Sequence, residues 1–476
     1  MYPLLLQVLP YQRDSKLLMN LLSPFAGCIC LESGLTDQQE ARYDILTALP
    51  SVQQRVMAEP GTQAEAFKCA QNLIDHYRPD HAGIKELEVL RHLPFCGGLM
   101  GFFGYEAASI SPHTLPHSAS SGPDTDASLL AQIPIAVFGL YDWAIVVDHQ
   151  QARSELFILP QCPPDIRQQV LDVTTEYICL TVSASFSTVS SNQDNFTGLL
   201  ASFKPMIDKA QYAQSFDRLK NWILAGDCYQ ANLAIPFAAP FQGSAFSMYS
   251  ILRQQSQSPF SAFIDAGDFQ ILSVSPERFL SVIDGRVFTQ PIKGTRKRLA
   301  DPDEDSAVQK ALLSSEKDKA ENLMIVDLLR NDLGRVCVTG SVKTESLFKL
   351  HSFTHVHHLI STISAQLPAD SSPLALLESC FPGGSITGAP KIRAMQIIAE
   401  LEQAPRTVYC GSIFYCDYFD RMDSSILIRT LLSTRQQLFC WGGSGVVADS
   451  VMAEEYQECL DKVSALMNLP IADQCA

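Results

Sequence analysis

The sequence is short of everything that would tie it to a membrane, a nucleic acid or a redox centre. No apolar run approaches the ~20 residues that a membrane-spanning helix needs. The opening MYPLLLQVLPYQRD has an apolar patch but no basic segment ahead of it, so no secretory signal is expected and the cytoplasm is the default location. Basic charge is in deficit: Lys and Arg number 35 against 51 Asp and Glu, for a net charge of −16. That argues against nucleic acid or an anionic membrane as the main partner. It leaves room for an anionic small molecule, because a local group of cations or a metal can reverse the field inside a cleft. The 14 cysteines contain no C-x-x-C pair and are scattered through apolar segments such as LLESCF, so reduced buried thiols are expected. No cysteine sits in the G-x-C-x-G setting of a glutaminase nucleophile. No G-x-G-x-x-G opens a helix either. The glycine-rich GGLMGFFGYE (97–106) reads as close strand packing.

What is present is a soluble, globular composition, 46% hydrophobic and 18% charged over 476 residues. Polar, Pro/Ser/Gly-rich stretches at 110–130 and 183–200 read as loops. They set off an N-terminal segment, 1–190, from a better patterned segment, 205–468. In the latter, residues 209–225 read as a helix stopped at Gly226. Residues 261–295 read as an antiparallel meander with a hairpin at Asp284-Gly285. Residues 318–335 read as a helix with Leu323, Val326, Leu329 and Leu333 on one side, and 452–469 as a closing helix.

Several short patterns carry chemistry. Asp318 and Glu321 stand three apart on one predicted helix, and Glu455 and Glu458 on the other. Each pair shares a helix face, so two facing helices would aim four carboxylates at one point, a hard-oxygen site suited to Mg²⁺; two solvated faces would give the same spacing. In SPERF, Glu277 follows an apolar strand, where burial raises a carboxyl pKa toward that of a general acid; an ion pair with Arg278 is the plainer alternative. In FPGGSITGAPKIRAM (381–395), three glycines and a helix start near Pro390 offer free N–H groups to an anion, with Lys391 adding charge. WGGSGVV (441–447) is a second open backbone. Arg429, alone in SILIRT, calls for a carboxylate partner. His351, His355, His357 and His358 lie close together, but without a cysteine nearby they make a weak zinc pattern. In PIKGT, Lys293 sits between an apolar residue and a glycine, a frame that a solvated lysine does not need.

Taken together, SPERF, PIKGT, ENLMIVDLLRNDLGR, VHHLIST, FPGGSITGAPKIRAM, CGSIFY, IRT, GGSGVVADS and EYQE resemble the chorismate-utilising enzymes. LESG and GGLMGFFGYE extend the likeness more loosely into the N-terminal segment. The resemblance implies an α+β fold: large antiparallel β-sheets in a two-subdomain sandwich surrounded by helices. Within the family, a lysine after Pro-Ile marks the aminodeoxychorismate synthases that work through a covalent intermediate, where anthranilate synthases carry alanine. The implied activity is amination of chorismate on the route to 4-aminobenzoate and folate, with Mg²⁺ as cofactor and ammonia from a separate glutamine amidotransferase subunit. The likeness makes Lys293 the nucleophile and Glu277 the general acid. It makes Glu321 and Glu458 direct metal ligands, with Asp318 and Glu455 behind them. It places Gly294, Thr295, His358, Ser385, Thr387, Lys391, Tyr415, Arg429 and Gly443 around the substrate. It further implies a pocket for L-tryptophan at Ser33, Arg42, Tyr43, Pro259, Phe260 and Ser261. Anthranilate or isochorismate synthesis on the same scaffold, and a catalytically silent tryptophan-binding subunit, are the competing readings.

Overall fold

A computed structural model describes residues 2–34, 42–58, 63–108, 126–182, 198–353, 356–434 and 436–471. The polar stretches expected as loops fall mostly outside these residues, as do positions 35–41 and His355. Two large sheets dominate, one 13-stranded and one 10-stranded. Every strand pairing within them is antiparallel, as when Cys30 lies opposite Phe263 in the first sheet and Phe414 opposite Gly101 in the second. Those two pairings also show that residues before 190 and after 205 contribute strands to both sheets. The two segments are therefore knit through shared hydrogen-bonded ladders.

Alternation along the strands sets up the layers. On Gln230–Gln242, the side chains of Leu233, Ile235 and Phe237 join one core, packed on helices such as Lys209–Ala225 and Met452–Met467. Ala234 and Ala238 face the other way, into the core shared by the two sheets. The glycine-rich 97–106 stretch is explained by that packing. A Cβ on Gly101 would stand 2.2 Å from the Val137 carbonyl oxygen on the neighbouring strand. Asp284 and Gly285 take φ of 51° and 75°, the paired left-handed geometry of a tight hairpin.

Three elements position the site. The strand Ile292–Lys297 carries Lys293. The helix Glu316–Gly334 carries Asp318 and Glu321, and its first turn is capped by Ser315, whose hydroxyl accepts from the Asp318 N–H. The helix Met452–Met467 carries Glu455 and Glu458. Glu316–Gly334 buries Asn322, Ile325, Val326, Leu329 and Leu333. Leu323, expected inside, is 44% exposed: the buried face runs through Asn322, Ile325, Val326, Leu329, Asp332 and Leu333, and Leu323 sits at its edge, beside exposed Asp327 and Arg330.

Candidate active site

Between these elements lies a cavity of about 500 Å³. Lys293, Glu277, Asp318, Glu321, Glu455 and Glu458 all line it, although they come from stretches of sequence up to 181 residues apart (277 to 458). Gly294 makes the assembly possible. It takes φ of 74°, and a Cβ there would stand 3.0 Å from Leu312 and 3.1 Å from Asp318, so only a glycine lets the lysine strand press against the acidic helix. The strand is also irregular between Lys293 and Thr295, which re-aims the lysine.

Among the described residues, the Lys293 ammonium has one hydrogen-bond acceptor in range, the Ser385 carbonyl at 3.4 Å. Burial pulls its pKa below the usual lysine value, and the charge of Lys462 pulls it further, against an opposing pull from Glu277, Glu321 and Glu458. Glu277 is 5% exposed, and burial raises its carboxyl above the usual range despite the charge of Lys293. The two pKa values thus move toward each other, as happens where protons are handled near neutral pH. Glu321 is likewise raised, by burial in the first place, with Glu458 and Asp318 adding repulsion.

Cations balance this acidic wall. Arg296 holds Asp318 at 2.8 Å, and Lys462 holds Glu458 at 2.6 Å while also donating to the Gly443 carbonyl. Arg429 faces the cavity from a left-handed backbone, φ 50°, and its guanidinium has no hydrogen-bonding or ion-pair partner among the described residues. Burial lowers its pKa. A half-buried guanidinium with no partner among the described residues is a receptor for a carboxylate. His358 is held by Thr295 at 2.8 Å and pushed down to about 4 by burial and the charge of Arg429, so it is a neutral imidazole at pH 7.

Among the described residues, no three His, Cys, Asp or Glu side chains already surround one point. Mg²⁺ does not require that: it keeps several waters and takes one or two carboxylates together with substrate oxygens. Glu321, Glu458, Asp318 and Glu455, hard oxygen donors from two helices that all line one cavity, fit it.

Residues 31–468 match the family model for chorismate binding enzymes. The chain belongs to that family. It is 39% identical over 466 residues to aminodeoxychorismate synthase component 1 of Klebsiella aerogenes, covering 97% of each chain. It is 41% identical over 450 residues to the protein of that name in Salmonella typhimurium, covering 92% of each. Among solved structures, anthranilate synthase component I of Streptococcus pneumoniae superposes with a TM-score of 0.69 at 28% identity, over 91% of this chain and 93% of that one. The α+β sandwich of antiparallel sheets is thus the fold of the chorismate-binding enzymes.

Not every residue that the motifs singled out reaches the cavity of this chorismate-binding enzyme. Gly294, Thr295, His358, Ser385, Arg429 and Gly443 do. Lys391 does not. Its ammonium is bound by Asp332 at 2.6 Å and the Cys380 carbonyl at 2.7 Å, so it is a structural cation. Thr387 is fully buried and its hydroxyl bonds the Gly383 carbonyl. Tyr415 points from Ser412–Asp417 into a second, smaller cavity of about 120 Å³. That cavity is lined by Ser33, Tyr43, Pro259, Phe260 and Ser261, with Glu32, Arg278 and Asp423 as its charged groups. Arg42, expected there, instead pairs with Asp148 at 2.7 Å. His357 has both ring nitrogens occupied, by Ser352 and by Asp305. The motifs missed Asn232, Tyr409, Trp441 and Lys462, all cavity-lining. The alternation Trp441, Gly443, Gly445 on one strand was the available signal for Trp441.

The placement of Lys391 has a measurable consequence. Lys391→Met leaves Asp332, 3% exposed, without its cation, and should destabilise the fold by about 3–5 kcal/mol in denaturant titration. The substrate KM of the folded fraction should stay within about twofold, because no cavity group is lost.

Proposed function

We propose that the chain aminates chorismate, giving 4-amino-4-deoxychorismate by way of a covalent lysine intermediate. The observation that carries this reading is the half-buried Lys293 amine in one cavity with Glu277 and the four carboxylates. Chorismate is a dianion with a hydroxyl at C4, and hydroxide is a poor leaving group. Arg429 receives a substrate carboxylate, and neutral His358 with Thr295 completes that side of the cavity. The Lys293 nitrogen adds at C2, the ring double bonds shift, and the C4–O bond breaks as Glu277 gives the departing oxygen its proton, so water leaves. Ammonia then adds at C4 and the lysine nitrogen is expelled from C2. Two easier substitutions replace one hard one. Bound Mg²⁺ at Glu321 and Glu458 would supply positive charge opposite a substrate carboxylate.

The reactive form needs a neutral Lys293 and a protonated Glu277. That form carries the same single proton as the resting ion pair, so the two states differ only in where the proton sits. Each unit by which the two pKa values approach raises the reactive fraction about tenfold. With no shift at all, about six units separate a glutamate from a lysine, and the reactive state would be negligible.

Ammonia is supplied from outside this chain. No cysteine of the sequence stands in a G-x-C-x-G setting, and burial pushes thiols such as Cys96, Cys162 and Cys410 up to about 12, away from activation. A separate glutamine amidotransferase subunit fits that requirement, and ammonium salts should substitute for it. The second cavity suits L-tryptophan: aromatic walls from Tyr43 and Phe260, and the carboxylate of Glu32 held by Tyr249 and Arg253. If so, L-tryptophan raises the unfolding midpoint, and Phe260→Asp cancels the rise.

The deciding experiment is product identification from purified protein with chorismate, Mg²⁺ and ammonium. The 4-amino product is expected. Anthranilate or isochorismate would instead select the competing reading of the scaffold. Binding of tryptophan with no turnover would select a regulatory subunit, against which the complete set of cavity carboxylates stands.

A further inference from the structure

Arg406 belongs to none of the motifs and does not line the cavity, yet it contacts three residues of the cavity wall. It lies in the loop between the helix Lys391–Leu401 and the strand Ser412–Asp417, and it is 1% exposed. Its guanidinium grips Glu402 with two nitrogens, Nε at 2.7 Å and Nη2 at 2.6 Å. Of the remaining hydrogens, Nη2 donates to the Asn232 carbonyl at 2.7 Å, and Nη1 to the Ile386 carbonyl at 3.3 Å and to the Cys410 sulfur at 3.7 Å. The guanidinium carbon also stands 4.8 Å from the centre of the Tyr105 ring and 5.6 Å from that of Tyr409. Asn232, Ile386 and Tyr409 all line the cavity. Glu402 in turn accepts from the Ala234 N–H at 3.0 Å, two residues along the Asn232 strand.

We infer that Arg406 is a positioning residue for the reaction, fixing the turn 385–387 against the strand Gln230–Gln242 so that the Ser385 carbonyl stays where the Lys293 amine meets it. The chain of contacts is short. Ile386 follows Ser385, whose carbonyl is, among the described residues, the one hydrogen-bond acceptor within 3.5 Å of the Lys293 nitrogen. On the turn's other side the Asn232 N–H donates to the Thr387 carbonyl at 2.8 Å. Arg406 therefore closes a bracket whose two arms, strand and turn, both form cavity wall. A planar guanidinium serves two carbonyls and a carboxylate at fixed angles, and an ammonium does not. A role limited to neutralising Glu402 would be met by either cation. The bracket also explains a charge placed in an interior where apolar side chains would stabilise as well or better.

This inference rests on the proposed reaction, and its test separates the two. Parent enzyme is assayed first with chorismate, Mg²⁺ and ammonium; absence of the 4-amino product there fails the proposed function alone. Arg406→Lys and Glu402→Gln are then compared with that parent for kcat, for chorismate KM and for thermal midpoint. Displacing the lysine's partner by about 1 Å is expected to lower kcat on the order of 10²-fold in Arg406→Lys, with KM within about threefold. Glu402→Gln keeps the Ala234 bond but takes the counter-charge from the buried guanidinium, and is expected to lower kcat about tenfold in the folded fraction, with KM within about threefold and a lowered midpoint. A folded Arg406→Lys with parental kcat overturns the inference, because a cation of any shape would then suffice. If Arg406→Lys does not fold, Glu402→Gln decides: parental kcat in that variant overturns the inference, and a selective fall in kcat supports it.

Discussion

Lys293→Ala should reduce formation of the 4-amino product on the order of 10³-fold or more, while the protein keeps its fold and its affinity for substrate within a few fold. The fold should survive because, among the described residues, Lys293 makes one long contact, 3.4 Å to the Ser385 carbonyl, and no ion pair within 4.0 Å. Removing a poorly satisfied, half-buried cation releases part of its desolvation cost. The rate should fall because the nitrogen that divides the substitution into two steps is gone. Ammonia entering the vacated space can still attack the ring directly. The residual activity should therefore shift toward anthranilate-like product, consistent with the alanine that stands at this position in anthranilate synthases. Chromatography of the products, run beside circular dichroism, separates loss of chemistry from loss of structure. Unchanged output of the 4-amino product would remove Lys293 from the reaction.

Glu277→Gln should be nearly as severe, lowering kcat by about 10²–10⁴-fold, the range for removal of a positioned general acid. It should also change the shape of the pH profile. In the parent, activity requires one proton shared between Glu277 and Lys293. It declines in acid, where both hold one, and in alkali, where both have lost theirs. Burial raises Glu277 and lowers Lys293, so the plateau lies between an ordinary glutamate and an ordinary lysine. With glutamine the proton on that side no longer titrates. The remaining activity should then only rise with pH, as Lys293 becomes neutral, and the alkaline decline should vanish. Persistence of that decline would assign it to another group.

The parts of the site that were legible in the sequence share one property: their spacing or neighbours are local. Acid pairs three apart on a helix must share a face, so Asp318 with Glu321 and Glu455 with Glu458 follow from helix geometry alone. Gly294 announces a close approach, although only the fold shows that the approach is to Asp318. The failures are long-range. Whether Lys391 meets a ligand or an acid depends on Asp332, 59 residues away and on another helix. Tyr415 was assigned to the substrate by its motif, but which side of its strand faces which cavity is set by pairing with Gly98–Phe103. Arg406 was invisible for the same reason: its partners Asn232 and Ile386 are 174 and 20 residues distant, and all it takes from them is backbone oxygen, which has no residue type. The sheets themselves were legible as antiparallel strands. That both run through the two halves of the chain was not, since no local pattern says which strand lies beside which.

The covalent step is tested most directly by intact-mass spectrometry and peptide mapping of the unaltered protein mixed with chorismate and Mg²⁺ and quenched before ammonium is added. The account predicts a chain heavier by chorismate less one water, with the addition mapped to the nitrogen of Lys293 and discharged as 4-amino-4-deoxychorismate once ammonium is supplied. A chain of unchanged mass at every quench time, in a preparation that goes on to make the 4-amino product at full rate, would contradict it.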